Sequence, residues 1–202
     1  MIQDDKENFI FDIYRSIILS LYIKEWGQPS NRTVFNKLNE TPIEVYVFPS
    51  KDENLVTRIV TIGVGLANHY KKQMHNFEYL FTFQNSFVET HESELISYLI
   101  DISLHLLKSE AESDIRVISN ISIAPNCLLQ KSILVDEARG EAELLSDIYI
   151  AEKIRNVSLK WVIPIYEAEA HFILKNGIEE FDLLDQKTKI SLVDINRPAL
   201  IK

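Results

Sequence analysis

The sequence is poor in the residue types on which several common kinds of chemistry depend. Cys127 is the single cysteine among 202 residues, so no internal disulfide can form and a reducing compartment is the simplest expectation. Glycine occurs only five times, and neither a GxGxxG nor a GxxxxGKS/T loop is present. HExxH and GxSxG are absent as well. The sequence therefore lacks the usual signatures of nucleotide-binding proteins, zinc metalloproteases and α/β-hydrolases.

Basic residues and long apolar runs are also scarce. The chain has 21 Lys and Arg against 30 Asp and Glu, a formal net charge of −9. Nucleic-acid binding depends on cationic side chains that neutralise phosphates, so this balance disfavours it. The N-terminus, MIQDDKEN, is acidic, unlike a secretory signal, and the apolar stretch at 16–23 is too short to span a bilayer. We expect a cytoplasmic protein that binds neither nucleic acid nor membrane.

What the chain does contain is typical of one soluble domain. Its hydrophobic content is 46% and its charged content 25%, and no linker or repeat divides it. A chain of this length buries enough surface to fold without a metal or a disulfide. We predict a single domain over residues 1–202, with a helix and its cap in residues 1–30 and a sheet with packed helices in residues 31–202.

Helical spacing of apolar residues occurs in four segments. The first predicted helix covers residues 8–26 and ends at Gly27, and the second begins at a Thr90 cap. A third follows Pro164 and stops at Asn176-Gly177, before a short fourth helix. The predicted apolar stripes are Ile10, Ile13, Tyr14, Ile17 and Leu21; Leu95, Leu99, Ile102 and Leu106; Ile165, Ala168 and Phe172; and Ile178, Phe181 and Leu184.

Strand patterns occur between these helices. Residues 43–48, 56–64 and 79–84 follow one another closely, which predicts an antiparallel meander. The segments at 28–41 and 68–76 are polar and are predicted to be loops. Further strands are predicted at 114–121, 128–135, 159–163 and 189–195. Because the order is helix, strands, helix, strands, helix, strand, the fold class is α+β rather than a regular βαβ alternation.

Few side chains in this sequence suggest catalysis. Glu167 and His171, at i and i+4, are the best candidates for acid–base or metal chemistry, but such pairs are common on solvated helix surfaces. His69 and His75 flank a polar loop, where a metal or phosphate clamp is the alternative to an ordinary hairpin loop. Cys127 is interpreted as a small buried apolar residue. We therefore predict no catalytic residue, no metal site and no cofactor.

The most plausible recognition surface is an acidic stretch at residues 136–147. Its negative charge is opposed there by Arg139 alone. Such a stretch could attract a basic protein partner and speed the encounter, whereas the alternative is a solvated loop without a partner. The candidate binding residues are Asp136, Glu137, Glu141, Glu143 and Asp147.

Several segments resemble a known family. IEVYVFP at Ile43–Pro49, LVTRIVTIGVG at Leu55–Gly65 and EYLFTFQ at Glu78–Gln84 are similar in order and pattern to the bacterial suppressor-of-fused-like domain. The segments WVIPIYEAEAHFILKNG, ending at Gly177, and DINRPAL, ending at Leu200, are similar to its closing part. Gly65 stands where the family usually has a serine.

The resemblance implies an α+β domain with a twisted mixed, mainly antiparallel sheet flanked by helices, no known catalytic residue and a binding role. Animal relatives sequester a transcription factor by letting its peptide add a strand in a cleft, and bacterial members are regarded as immunity proteins. We therefore expect a protein-binding domain whose partner is a cognate toxin. The alternatives are a scaffold that captures peptides by strand addition and, less favoured, a hydrolase that uses Glu167 and His171. The matched motif positions are structural, so they assign no functional residue.

Overall fold

A computed structural model describes residues 2–36, 41–50, 56–71, 76–108, 116–152, 154, 156–188 and 190–201. Five helices, seven strands and a 3-10 turn alternate irregularly along these residues. In chain order they are α1 (Ile2–Trp26), β1 (Asn31–Phe35), β2 (Ile43–Phe48), β3 (Val56–Ile62), α2 (Val64–Tyr70), β4 (Phe77–Gln84), α3 (Asn85–Lys108), β5 (Arg116–Ile118), β6 (Ser132–Glu137), the 3-10 turn (Glu143–Leu145), β7 (Ser158–Ile165), α4 (Glu167–Asn176) and α5 (Ile178–Thr188).

The seven strands form one mixed sheet in the order β1-β2-β3-β4-β7-β6-β5. Strands β2 to β4 make the predicted antiparallel meander, and β1 extends it by one antiparallel strand. Strand β6 pairs antiparallel with both β5 and β7. Only β4 and β7 run parallel among these pairs, joined through α3 and the β5–β6 hairpin. A parallel pair needs such a long crossover. The predicted α+β class with a mixed, mainly antiparallel sheet is confirmed.

Helices cover both faces of the sheet, so the core has two main layers and a smaller third cluster. Helix α1 packs on one face with Tyr46, Phe48, Val60 and Leu80. Helix α3 packs on the other face, and its predicted stripe of Leu95, Leu99, Ile102 and Leu106 is at most 1% exposed. Helices α4 and α5 cover β6 and β7 with Ala170, Ile173 and Phe181.

This double cover explains why β2 has no polar face, although its sequence alternates. All six of its residues are buried, including Glu44 at 1% exposure. The Glu44 carboxylate accepts hydrogen bonds from Arg32 at 2.5 Å and from the Tyr46 hydroxyl at 2.5 Å. A buried charge is tolerated when it is paired and hydrogen-bonded in this way.

Helix α1 presents a different face from the predicted one. It begins at Ile2 rather than at residue 8, and Gly27 ends it with a positive φ of 88° and an N–H bond to the Ile23 carbonyl. The predicted face residue Ile13 is 39% exposed. Of the predicted stripe only Tyr14 is buried, and the other core positions each lie one residue further along the helix. The buried α1 residues are Phe11, Tyr14, Ile18 and Tyr22.

Several predicted loops and ends differ from the structure. The segment 28–41 contains β1, whose polar residues fit an edge strand that solvent reaches. The strand predicted at 56–64 stops at Ile62, because Gly63 adopts a φ of 117° and starts α2. Helix α2 reaches Tyr70 inside the predicted loop at 68–76, and His75 lies outside the described residues. Helix α3 starts at Asn85, and a kink at His91, directly after the predicted Thr90 cap, divides it into a short first part and the long predicted helix.

The chain around the last predicted strands also differs. Pro164 does not end β7, which runs to Ile165. It is tolerated because β7 pairs with β4 only as far as Trp161, so Pro164 faces a ladder on one side alone. The described part of the strand predicted at 189–195 forms turns instead, closed by N–H bonds from Asp194 to Ser191 and from Arg197 to Asp194.

Candidate functional site

The acidic stretch belongs to a segment, residues 136–150, that the core holds in a fixed shape. Leu145, Ile148 and Ile150 point inward and are at most 5% exposed. Ile148 also exchanges two backbone hydrogen bonds with Val157, at 2.7 and 2.9 Å. The segment is therefore anchored along its length by apolar side chains and by a short backbone ladder.

Two of the five predicted binding residues face inward in this segment. Asp136 is 2% exposed and is hydrogen-bonded to Arg139, which also contacts Asp182 on α5 at 2.7 Å. Glu141 accepts hydrogen bonds from the Trp26 indole at 2.8 Å and from Arg58 Nε at 2.7 Å. These two carboxylates secure the segment to its neighbours.

The remaining three predicted residues, Glu137, Glu143 and Asp147, are exposed. Two apolar side chains accompany them at the surface, Leu144 at 38% and Tyr149 at 66% exposure. Sequence reasoning did not select Leu144 and Tyr149. The signal for Tyr149 was the apolar run at 148–150. In an extended segment side chains alternate, so the residue between two buried ones points outward.

A cleft lies where this segment meets the end of α1. Its volume is about 330 Å³, and it is lined among others by Trp26, Phe48, Arg58 and Glu141. The Arg58 guanidinium lies 5.5 Å from the centre of the Trp26 ring. An aromatic wall beside a paired arginine and glutamate can receive an apolar side chain with a polar end.

The candidate acid–base pair lies on the solvent side of α4. Glu167 and His171 are both exposed, and the buried face of this helix is formed by Glu169, Ala170 and Ile173 rather than by the predicted stripe. The stripe was misplaced because Ile165 belongs to β7 and not to the helix. The surface position is the one expected of a solvated Glu–His pair.

Glu169 forms a buried ion pair that the sequence did not indicate. Its side chain and that of Arg197 are 0% and 1% exposed, and the guanidinium donates to both carboxylate oxygens, at 2.6 and 2.8 Å. Glu169 also accepts the N–H groups of Tyr166 and Leu200. The pair fixes the last described turns of the chain to the start of α4.

Glu78 on β4 is a second buried carboxylate, at 0% exposure, and it has different partners. It accepts hydrogen bonds from the hydroxyls of Tyr14 and Thr61, both at 2.6 Å, and from the N–H groups of Gly63 and Gly65, at 2.8 and 3.0 Å. Complete burial raises the pKa of Glu78, and these four donors oppose that rise. Glu78 thus joins α1, β3, β4 and the start of α2.

Cys127 lies next to side chains from α3. Its thiol, the Glu94 carboxylate and the His91 ring place their ligand atoms within 4.8 Å of one another. Burial, together with the nearby Glu94 carboxylate, raises the pKa of the Cys127 thiol to about 11. Cys127 is half-buried rather than a full core residue.

Strands β1 and β5 end the described sheet on its two sides. Strand β1 is the longer, and Asn31, Arg32 and Val34 are exposed along it, Val34 at 49%. A terminal strand carries backbone groups on its outer side that another chain can pair with.

Taken together, the fold defines an α+β domain with a seven-stranded mixed sheet and an anchored, mainly acidic surface segment. The family model of the suppressor of fused protein (SUFU) matches residues 39–198, and the chain belongs to this family. Comparison with curated protein sequences gives no significant match. None of the helices in the described part of the chain is both long and apolar enough to cross a membrane.

Solved structures with the same fold agree with this assignment. A SUFU homologue from Neisseria gonorrhoeae has a TM-score of 0.68 at 18% identity, with 94% of this chain and 97% of that one covered. The Sufu-Fu complex gives 0.59 at 11% identity over 96% and 91%. Drosophila Suppressor of Fused gives 0.59 at 12% identity, over 95% of this chain and 50% of that one. At these identities the similarity establishes the fold, and Sufu is itself a protein that forms a complex with another protein, Fu.

Proposed function

We propose that this chain is a non-catalytic protein-binding domain that neutralises a cognate toxin by holding it, and that the exposed side of the 136–150 segment is its contact surface. The observation that carries the proposal is the outward position of Leu144 and Tyr149 among exposed carboxylates, on a segment whose other side is fixed in the core.

The physics of association favours such a surface. Because the core and the Ile148–Val157 ladder already order the segment, little conformational entropy is lost when a partner binds. Tyrosine is enriched among the interface residues that contribute most to affinity. The exposed Glu137, Glu143 and Asp147, on a chain of net charge −9, would accelerate the approach of a basic partner.

The comparisons support the binding part of the proposal at the level of the family. Sufu is seen in a complex with Fu, and the homologue from a bacterium has the same fold. The toxin as partner follows from the resemblance to bacterial members that are regarded as immunity proteins. An immunity protein acts stoichiometrically, so it needs surface complementarity rather than a reactive site.

Genome neighbourhood and co-expression test the toxin. A neighbouring gene should encode a large multidomain toxin, and co-expression of this chain should abolish that toxin's activity. The purified pair should form a one-to-one complex. Absence of both a toxin gene and rescue would reject the toxin as partner.

The contact surface is tested with matched variants of the same complex. Tyr149→Ala should weaken binding by about tenfold or more, and Leu144→Ala by less. Leu174→Ala is the control, because Leu174 is 64% exposed but belongs to α4 and not to the segment. Glu143→Lys should slow association more at low salt than at high salt, whereas Glu89→Lys should not, because Glu89 is exposed on α3, which packs on the other face of the sheet. Equal effects in test and control variants would place the contact elsewhere.

Strand addition at β1 is a second candidate, favoured by the terminal position of that strand and its exposed side chains. In an edge strand the N–H groups of consecutive residues point alternately to the neighbouring strand and outward. Of Thr33→Pro and Val34→Pro, one therefore removes an outward donor and the other disrupts the β1–β2 ladder. Strand addition predicts lost binding in the variant that keeps the fold. Unchanged binding in that variant would exclude this mode.

A further inference from the structure

Three potential metal ligands from two distant parts of the sequence meet beside α3. His91 and Glu94 lie on this helix, and Cys127 lies in the loop before β6. We propose that these three side chains bind one zinc-class divalent transition-metal ion. The proposal stands apart from the proposed function, since the site is built from α3 and the 121–128 loop.

The distances suit a tetrahedral ion of this class. With metal–ligand bonds of about 2.0 to 2.3 Å, neighbouring ligand atoms are separated by about 3.3 to 3.6 Å. His91 Nδ1 and the nearer Glu94 oxygen are 3.3 Å apart, and all three ligand atoms lie within 4.8 Å of one another. Glu94 is exposed, and His91 and Cys127 are half-buried, so rotation of the Glu94 side chain can bring its oxygen closer to the other two ligand atoms.

The donor types select the metal. A thiolate sulfur, an imidazole nitrogen and a carboxylate oxygen together suit Zn²⁺ and Co²⁺, whereas Ca²⁺ and Mg²⁺ prefer oxygen ligands alone. On binding, the Cys127 thiol loses its proton to solvent and its sulfur forms the metal bond. Together, the thiolate and the Glu94 carboxylate then balance the two charges of the cation.

The fold holds both parts of the site in place. The helical dihedrals of α3 are interrupted at His91, with φ −125° and ψ 17°, and the Phe87 ring lies 4.9 Å from the imidazole. The loop that carries Cys127 is fixed by Leu128, which is fully buried, and by Lys131 Nζ, which donates to the Pro125 carbonyl at 2.8 Å. The ligands are therefore positioned before a metal arrives.

Space for a fourth ligand is present next to Glu94. An open groove of about 360 Å³ is lined by Glu94, Tyr98 and Asp101, among others. The Tyr98 hydroxyl is buried and has no hydrogen-bond partner among the described residues. Three protein ligands with one position left for water is an arrangement known from zinc sites.

Cobalt titration of the full-length, untagged, reduced protein tests the proposal. Thiolate ligation of Co²⁺ gives a near-ultraviolet charge-transfer band, and because Cys127 is the single cysteine, any such band reports on this residue. We expect one Co²⁺ per chain, displacement by Zn²⁺, and loss of the band in Cys127→Ser. His91→Ala and Glu94→Gln should each weaken Co²⁺ binding by about tenfold or more.

The control is the other Glu–His pair on a helix surface. Glu167→Gln and His171→Ala should leave the Co²⁺ titration unchanged, since both residues lie on α4. Circular dichroism should show that every variant keeps the fold. The proposal is overturned if the wild-type protein gives no charge-transfer band, if one ion is shared by two chains, or if His91→Ala has no more effect than His171→Ala.

Discussion

Glu78 and Glu169 are both completely buried, yet the protein satisfies their carboxylates in different ways. Glu78 receives four hydrogen bonds, all from neutral donors, and it connects α1 with the centre of the sheet. Glu169 receives a two-pronged hydrogen bond from Arg197 and connects α4 with the end of the chain. The same side-chain type thus supports two parts of the fold by different physics.

The difference concerns what remains when a partner is lost. Near Glu78, the loss of one donor leaves three others. Burial also raises the pKa of Glu78, which favours the neutral, protonated carboxyl. Near Glu169, the loss of Arg197 leaves a buried carboxylate without its cation. An uncompensated buried charge costs more than an unsatisfied neutral group. The ion pair should therefore be the more sensitive of the two sites.

The largest expected effect is that of Arg197→Ala. Removing one member of a buried pair should lower the free energy of unfolding by about 3–5 kcal/mol, because Glu169 stays buried and loses the guanidinium that donates to both of its oxygens. Urea unfolding measures this loss. The double variant Glu169→Leu with Arg197→Met removes both charges and should be more stable than Arg197→Ala alone. If the double variant were as unstable as Arg197→Ala, lost packing rather than unpaired charge would explain the effect.

Glu78→Gln should have a smaller effect, a loss of about 1–3 kcal/mol, because one acceptor oxygen becomes an amide that faces donors. The Tyr14 hydroxyl and the N–H groups of Gly63 and Gly65 all donate to Oε1, which the amide oxygen of glutamine can replace. The new NH2 group then faces the Thr61 hydroxyl, which now donates to Oε2. Urea unfolding at pH 7 measures the loss. If Glu78→Gln lowered the free energy of unfolding more than Arg197→Ala, Glu78 rather than the ion pair would be the more sensitive site.

Gly65→Ala tests how tightly the donors pack around Glu78, and it should lower the free energy of unfolding by about 1–3 kcal/mol. A Cβ atom at this position would lie 2.5 Å from the Tyr14 hydroxyl, on a side chain that is fully buried. In a Tyr14→Phe background the clash is removed, so the cost of Gly65→Ala should fall. Equal costs in the two backgrounds would show that the hydroxyl is not the obstacle.

The smallest expected effect is a pH dependence that belongs to Glu78. The folded protein holds the Glu78 proton more tightly than the unfolded chain, so ionisation of this group lowers stability as the pH rises above about 4.5, the ordinary glutamate pKa. Glu78→Gln cannot ionise. The stability difference between wild type and Glu78→Gln should therefore be greatest at low pH and should shrink as the pH rises. Urea unfolding from about pH 4 to pH 8 measures this, and a difference that grows with pH would contradict the raised pKa.

Much of the fold was predictable because it depends on local pattern. The meander followed from alternating β-branched and aromatic residues at 43–48, 56–64 and 79–84, and the long stripe from Leu95 to Leu106 gave the buried face of α3. The hydrophobic patterns gave wrong predictions where neighbouring elements decide which side chains are buried and which are exposed. Strand β1 looked like a loop because edge strands are polar, and the two faces of α1 could not be told apart while both carried apolar residues.

The candidate site was predictable only in part. The acidic composition of 136–147 is a property of the sequence, but the inward position of Asp136 and Glu141 depends on Arg139, Arg58 and Trp26, of which two are far away in the chain. The sequence was predicted to have no metal site because it contains no metal-binding motif, and such motifs are defined by the spacing of ligands along the chain. His91 and Glu94 are close in sequence, but Cys127 reaches them only through the turn before β6.

The sequence by itself determined the class of fold, the family and the surplus of negative charge, because these depend on composition and on short periodic patterns. Only the tertiary structure decided which carboxylates are buried and which face solvent, since that depends on partners brought together by the sheet. Glu78, Glu169 and Glu143 are residues of the same type, and the sequence alone does not distinguish them. In the structure Glu78 accepts hydrogen bonds from four neutral donors, Glu169 forms an ion pair, and the Glu143 carboxylate faces solvent.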